Sequence, residues 1–253
     1  MVSIEQAMAA TQLELAASLI ERATSLLSPL QLRLVRAEYA LARDDVDNAM
    51  TDFTASLGDA SLAARAHLGV GLIELRRGHD PLAIASLDAA LTADPSLVCA
   101  WIARGVAADR TRDWPRADTA YARALALDPR STAALIDRGY SKLLRGQFAE
   151  AAADSALALT IDLKSTTATN NLRLARAMQG DYKTAFAGST KASLANDLNT
   201  VGFAAMSRGD YGIAETFFTR AMRMSPQFDR TAWDNLVYLK QLAHKPPEAI
   251  TQR

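Results

Sequence analysis

The side chains that could carry acid–base, metal or nucleophilic chemistry are few in this sequence and far apart. The three histidines are His67, His79 and His244, and the one cysteine is Cys99. A metal site or a general base needs such residues at ligand spacing, for example two histidines four residues apart on one helix face. No such spacing occurs, so we expect no catalytic residue, no metal and no cofactor, and therefore a protein that is not an enzyme.

An acidic cluster, Asp44, Asp45 and Asp47, alternates like the start of a calcium-binding loop. The central glycine and the terminal glutamate of such a loop are missing, and the cluster falls on a predicted turn. Carboxylates at that position cap and solvate the start of the following helix. The cluster therefore predicts helix capping and not a calcium site.

Asn170 and Asn171 are the most unusual residues of a predicted first helix, and they end the polar run from Ser165 to Asn171. If they face a groove, their carboxamides could form hydrogen bonds with the main chain of a bound peptide. The alternative is that they cap the start of the helix.

The charge balance argues against a polyanionic partner. Among 253 residues, 28 are Lys or Arg and 28 are Asp or Glu, so no net field would attract nucleic acid or an anionic membrane surface. The hydrophobic fraction of 49% allows a sizeable core. The sequence has neither a run of 18 apolar residues nor a basic leader followed by an apolar segment, so we expect a soluble chain without a membrane span.

The elements that must position these residues repeat along the chain. One alanine column has a spacing of 34 residues: Ala49, Ala83, Ala117, Ala151 and Ala185. This period is typical of a helix-turn-helix unit that stacks into a solenoid. A column of small residues, at which neighbouring first helices should approach closely, comprises Ala37, Gly71, Gly105, Gly139 and Gly202. A column of bulky residues, predicted to pack on the next unit, comprises Phe53, Leu87, Tyr121 and Phe218.

Turns and prolines place the joints between these helices. Turn residues recur at 77–79, 145–147, 180–182 and 209–211, and prolines follow second helices at Pro95, Pro129 and Pro226. The fifth unit is shortened, because Ala185 and its counterpart Ala214 are only 29 residues apart. We predict units at 30–63, 64–97, 98–131, 132–165, 166–194 and 195–228, after an N-terminal helix (half repeat) in 1–29 and before a capping helix and tail in 229–253.

The predicted fold class is therefore all-α, a superhelical solenoid whose first helices line a concave face. The residues expected to point into this groove form a largely apolar stripe suited to an amphipathic helix or an extended peptide. The alternative is that any one of them packs within its own unit. The predicted partner-binding residues are Leu34, Leu68, Leu72, Ile102, Val106, Ile136, Tyr140, Leu143, Asn170, Leu174, Phe203 and Met206.

Over residues 30–228 the chain resembles the tetratricopeptide repeat (TPR) superfamily, on the 34-residue columns described above. The last third resembles more narrowly the TadD-type TPR proteins of bacterial tight-adherence (Tad, or Flp) pilus assembly. That resemblance lies in Asn170–Leu172, Gly180–Tyr182, Asn196–Asn199 and Gly209–Tyr211. It implies an accessory or pilotin-like protein of the secretion machine that binds a segment of the secretin pore.

The narrower resemblance also implies a periplasmic lipoprotein associated with the outer membrane. One departure from the family is that the sequence shows no signal segment and no lipid-accepting N-terminal cysteine, since Cys99 lies inside the array. Trimming of the chain to its folded part would explain this departure. The alternative is a general cytoplasmic TPR scaffold or regulator that joins two proteins.

Overall fold

The computed structural model describes residues 3–9, 12–224 and 229–243, and all regular elements in these ranges are α-helices. In chain order they are α1 (Ile4–Ala9), α2 (Leu13–Ala23), α3 (Pro29–Ala42), α4 (Val46–Ser56), α5 (Ala63–Arg77), α6 (Asp80–Ala93), α7 (Val98–Arg110), α8 (Trp114–Leu127), α9 (Thr132–Leu144), α10 (Phe148–Ile161), α11 (Thr166–Met178), α12 (Tyr182–Ala185), α13 (Leu194–Ser207), α14 (Tyr211–Met224) and α15 (Arg230–Ala243). The predicted all-α class is confirmed.

Most helices pack as consecutive pairs joined by short turns, as in α5 with α6, α7 with α8 and α13 with α14. Gly78 shows how the sequence ends a first helix. Its φ is 81°, in the left-handed region that favours glycine, and its N–H donates to the Leu75 carbonyl. The N–H of His79 donates to the carbonyl of Glu74, which completes the cap and reverses the chain into α6.

The chain forms two compact units, Met1–Ala134 and Leu135–Arg253. In the first unit α4 packs on α5 and α6 on α7. In the second unit α10 packs on α11, α11 on α13 and α14 on α15. Phe53, Tyr121 and Phe218 are buried in these cores, so the bulky column supplies much of the apolar area removed from water.

The small residues serve a contact that differs from the predicted one. A Cβ added at Gly105 would lie 2.6 Å from the Tyr121 ring, and one added at Gly202 would lie 2.7 Å from the Phe218 ring. In both cases the bulky residue belongs to the second helix of the same pair. At these positions the residue is therefore small because the first helix must accommodate the large side chain of its own partner helix. Gly139 faces the small Ser155 of its own partner helix, with 3.3 Å between the added Cβ and Oγ.

The N-terminal helix and the shortened fifth unit differ from the regular pattern of helix pairs. The single N-terminal helix is divided into α1 and α2, because Gln12 leaves the helical region with φ −86° and ψ 66°. In the shortened fifth unit the second helix, α12, has four residues and is followed by the non-helical segment 186–193. Pro226, His244 and the predicted tail lie outside the described residues.

Candidate partner-binding site

Three predicted groove residues belong to the core. Leu34, Leu143 and Met206 are 1%, 8% and 5% exposed. Leu34 packs in the cluster that contains Phe53, and Met206 packs in the cluster that contains Phe218. Leu143 packs with Ala151 and Ala175. Their placement on an open groove is therefore wrong, because each side chain points at its own or the next helix pair.

The other apolar positions of the stripe differ in accessibility. Leu68 and Ile102 are half-buried and pack against core clusters of the first unit. Val106 and Ile136 are also half-buried. Leu72 and Tyr140 are exposed, with exposed fractions of 36% and 51%. The stripe is thus interrupted within each unit, and these residues do not form one continuous apolar surface.

Asn170, Leu174 and Phe203 do come together, on the wall of an open concavity in the second unit. This concavity lies between α11, α13 and α15 and has a volume of about 780 Å³. Its remaining lining residues are mostly small and polar: Thr166, Asn171, Ser193, Asn196, Asp197, Asn199, Thr200, Thr231 and Asn235. We call it the asparagine groove, because five of its lining residues are asparagines.

The carboxamides of the asparagine groove are held in different ways. Asn170 is exposed, and its Oδ1 accepts a hydrogen bond of 2.8 Å from the Arg173 guanidinium. Because this contact occupies the carbonyl oxygen, the Nδ2 group of Asn170 is left as a donor at the surface. Asn171 is buried and donates through Nδ2 to the carbonyl of Ile136 at 3.3 Å. Asn171 is therefore part of the helix packing.

Asn199 has the opposite arrangement. It is 7% exposed, and its Nδ2 donates to Asp229 Oδ2 at 3.0 Å. A carboxylate can only accept, so this bond fixes the orientation of the amide. Its Oδ1 is buried and has no hydrogen-bond partner among the described residues. A buried acceptor without a donor costs free energy, so the free protein carries an unsatisfied group in the wall of the asparagine groove.

The asparagine groove is close to electrically neutral. Its one charged lining residue is Asp197, which is 4% exposed. The Oδ1 of Asp197 lies 3.0 Å from NH1 of Arg173, and its Oδ2 accepts a hydrogen bond of 2.9 Å from the Ser193 hydroxyl. The carboxylate is thus neutralised by a cation on the neighbouring helix, and the groove offers dipoles and not net charge.

Phe203 supplies the apolar part of the wall. Its ring is 51% exposed on α13, and Leu174 on α11 is half-buried beside the same groove. An aromatic side chain left half open in this way is a common anchor point for a partner, because covering it removes apolar area from water. The combination of an exposed ring with carboxamides suits a polypeptide ligand.

Sequence reasoning missed Asn196, Asn199 and Asn235 as lining residues. A signal for Asn199 was present, because it follows Asn170 by 29 residues, the same spacing that separates Ala185 from Ala214. The two asparagines therefore occupy equivalent positions of consecutive first helices. The sequence carries no such signal for Asn235, because its helix, α15, lies after Ala214, the last residue compared with the alanine column.

The histidine and cysteine side chains considered for acid–base or metal chemistry lie apart from one another in the structure. His79 Nδ1 lies 2.7 Å from Glu74 Oε2 at the turn between α5 and α6. Cys99 is exposed on α7. Within the described ranges, no group of three His, Cys, Asp or Glu side chains could hold a metal ion. Among the helices described here, none has the length and apolar character required to cross a membrane.

A sequence model of the tetratricopeptide repeat matches the chain over residues 34–97 and 102–166. No curated protein matches it. Among solved structures, a chain of the APC/C hetero-tetramer Cut9–Hcn1 has a TM-score of 0.68 at 15% identity, with 93% of this chain covered. This chain spans only 48% of that protein's length.

Two bacterial structures are similar over nearly their whole length. A tetratricopeptide repeat protein from Parabacteroides merdae has a TM-score of 0.56 at 14% identity, with 94% of this chain and 96% of that one covered. The pilF protein of Pseudomonas aeruginosa has a TM-score of 0.53 at 21% identity, with 72% of this chain and 91% of that one covered. At these identities the likeness shows the fold alone.

Proposed function

Because the chain belongs to the tetratricopeptide repeat family, we propose that it is a non-catalytic scaffold that binds a segment of a partner protein. The observation that carries this proposal is the asparagine groove, in which a half-exposed Phe203 lies beside carboxamides on the first helices of successive repeats. Concave faces of helical repeats bind partners in this way. The partner segment is a peptide or a helix.

The charge distribution supports a protein partner over a nucleic acid. Basic and acidic residues are equal in number, at 28 each, and the one charged group in the asparagine groove is paired with Arg173. Nucleic-acid binding depends on Lys and Arg side chains that neutralise phosphates. Neither the whole chain nor this groove provides such a surplus.

More specifically, we propose a role in the assembly of a bacterial Tad-type pilus or secretion machine, with a secretin segment as the partner. The support is the resemblance of residues 170–172, 180–182, 196–199 and 209–211 to the TadD-type proteins. On this proposal the full-length protein is periplasmic and associated with the outer membrane. The second candidate is a cytoplasmic scaffold or regulator, which the repeats alone support.

A pull-down from extract of the native cell, read by mass spectrometry, tests both levels of the proposal. The bait is the wild-type chain, compared with Phe203→Glu and with Leu157→Glu as the matched control. Leu157 lies on α10 of the same unit and is 47% exposed, against 51% for Phe203, but it does not line the asparagine groove.

We expect Phe203→Glu to lose a partner that Leu157→Glu retains, because a charge buried against an apolar ligand is costly. A secretin subunit among the lost proteins would support the Tad assignment, and a cytosolic protein would support the second candidate. If both variants capture the same proteins as the wild type, the asparagine groove does not bind the partner and the proposal is wrong.

A further inference from the structure

We infer that a partner protein docks an acidic amphipathic helix in a second concavity of the chain, at the place where the fifth unit lacks a full second helix. We call this concavity the leucine recess, after three residues in its wall, Leu159, Leu163 and Leu172. Leu172 and the groove residue Leu174 are two residues apart on α11, so they point to nearly opposite sides of that helix. The inference therefore goes beyond the proposed function and does not depend on the asparagine groove.

The first step is the gap that the fifth unit leaves among the second helices. The preceding and following second helices, α10 and α14, have 14 residues each, whereas α12 has four. At 1.5 Å per residue the difference corresponds to about 15 Å of helix. The segment 186–193 that follows α12 is non-helical. The side of α11 away from the asparagine groove therefore lacks the long helix that covers a first helix in a regular pair.

The second step is the exchange of two side chains in the fifth unit. In the sixth unit Gly202 on the first helix faces the ring of Phe218 on the second helix. The spacing of 29 residues places Arg173 and Ser189 at the equivalent positions of the fifth unit. The Arg173 guanidinium donates a hydrogen bond of 3.4 Å to the Ser189 hydroxyl. The second half of the fifth unit thus supplies a hydroxyl to α11 at the position where a regular second helix supplies an aromatic ring.

The third step is the size and the apolar character of the leucine recess. Its volume is about 260 Å³, and its wall includes Leu159 on α10, Leu172 on α11 and Leu163 in the joint between these helices. Leu163 is 85% exposed. Sites for small molecules have volumes of about 300–1,000 Å³, so the recess fits one or two side chains of a partner better than a cofactor.

The fourth step is the conformation of the partner segment. Packed helices lie about 8–10 Å apart, and the recess occupies the place of a helix beside α10 and α11. An amphipathic helix presents apolar side chains three or four residues apart along one face. One such side chain would enter the recess, and the next would cover Leu163 and remove its apolar area from water.

The fifth step is the charge around the leucine recess. Residues 162–191 contain five basic and two acidic side chains, in a chain whose charges balance. Arg173 is buried in an ion pair, but Lys164, Lys183 and Lys191 are exposed and form no ion pair with any described residue. Complementary charge selects one partner over another more than it adds affinity. This surface therefore selects a helix whose apolar face is flanked by Asp or Glu.

The probes for the test are three synthetic helical peptides of 14 residues. They share one stripe of leucines at positions i, i+3, i+7 and i+10 and carry Glu, Gln or Lys beside that stripe. Backbone amide shifts of the full ¹⁵N-labelled chain, measured by NMR, give both the Kd and the location of binding. The variant is Leu163→Glu, with Leu26→Glu as the matched control. Leu26 is 82% exposed in the turn between α2 and α3, outside the leucine recess.

We expect the Glu peptide to bind about tenfold more tightly than the Lys peptide, with the Gln peptide between them, and added salt to reduce the difference. The amide shifts should lie in 159–163, 172–176 and 185–188. Leu163→Glu should weaken binding of the Glu peptide about tenfold, because it places a second negative charge in the contact and removes apolar area. Leu26→Glu should bind like the wild type, and circular dichroism should show both variants folded.

Equal affinities of the Glu and Lys peptides, equal affinities of wild type and Leu163→Glu, or no binding of any of the three peptides would overturn the inference. Amide shifts confined to the asparagine groove would do the same. Sedimentation velocity of the chain alone tests a different occupant. A dimer that dissociates with Leu163→Glu would show that a second copy covers the leucine recess, and the inference of an acidic partner helix would be wrong.

Discussion

Arg173 and Asp197 form an ion pair inside the second unit, with 3.0 Å between NH1 and Oδ1. The pair joins α11 to α13, which carry two walls of the asparagine groove. The same guanidinium donates a hydrogen bond to Asn170 Oδ1. One buried cation therefore both neutralises the Asp197 carboxylate in the groove and orients the carboxamide of Asn170 at the surface. The geometry of the candidate site therefore depends on this pair.

Asp197→Asn should destabilise the chain by about 3 kcal/mol, because it leaves the Arg173 charge buried without its partner. The free energy of unfolding in urea, followed by circular dichroism, measures the effect. Asp234→Asn provides the control, since Asp234 pairs with Arg230 at 3.5 Å on the surface and should change little. Equal stability of the two variants would show that the buried pair does not support the fold.

Gly105→Ala should destabilise the chain by about 1–3 kcal/mol, because the new methyl group would lie 2.6 Å from the ring of Tyr121. Gly212→Ala tests whether helical glycines are replaceable in general. No atom lies within 4 Å of a Cβ added at Gly212, so this variant should be neutral or slightly stabilised. Thermal unfolding of the two variants measures the difference, and a stable Gly105→Ala protein would contradict the packing described here.

Asp154 should contribute to stability in a pH-dependent way. Burial acts to raise the pKa of its carboxyl, but the hydrogen bonds from Arg138 and Lys142 and the positive charges of these two side chains together outweigh that effect, so the pKa lies below its ordinary value. The contribution of such a group is present above the unfolded-state pKa of about 3.9 and is lost as the pH falls through the lower, folded-state pKa.

Replacement of Asp154 by Asn should therefore destabilise the protein by about 3 kcal/mol at neutral pH, because Arg138 and Lys142 lose their buried partner. The difference between wild type and variant should shrink as the pH is lowered below about 4. Urea unfolding across this range checks the sign. A difference that stays constant down to low pH would show that the pKa of Asp154 is the same in the folded and unfolded states, and would contradict the lowered pKa.

Tyr140→Glu should leave the stability of the chain unchanged, because the side chain is 51% exposed on α9. We expect it to weaken partner binding if the bound segment continues from the asparagine groove onto α9. A pull-down from extract of the native cell, with the wild-type chain and Tyr140→Glu as baits, tests this. Capture of the same proteins by both baits would restrict the site to α11, α13 and α15.

Local rules in the sequence were sufficient for the helix pairs. The 34-residue alanine column and the glycine turns follow from short-range requirements, namely a small residue where two helices meet and a left-handed residue such as Gly78 at a helix end. The spacing of 29 residues between Ala185 and Ala214 indicated a shortened fifth unit. That its second helix is the element reduced, to four residues, became clear only from the structure.

Accessibility of the site residues depended on tertiary packing. Leu34, Leu68 and Asn170 share one register position, yet they are buried, half-buried and exposed, respectively. Periodicity fixes the direction of a side chain relative to its own helix pair. Whether that side chain meets solvent depends on the neighbouring pair, which the period does not encode. The partners that orient Asn170 and Asn199, Arg173 and Asp229, were likewise decided by contacts between side chains that the repeat pattern alone does not specify.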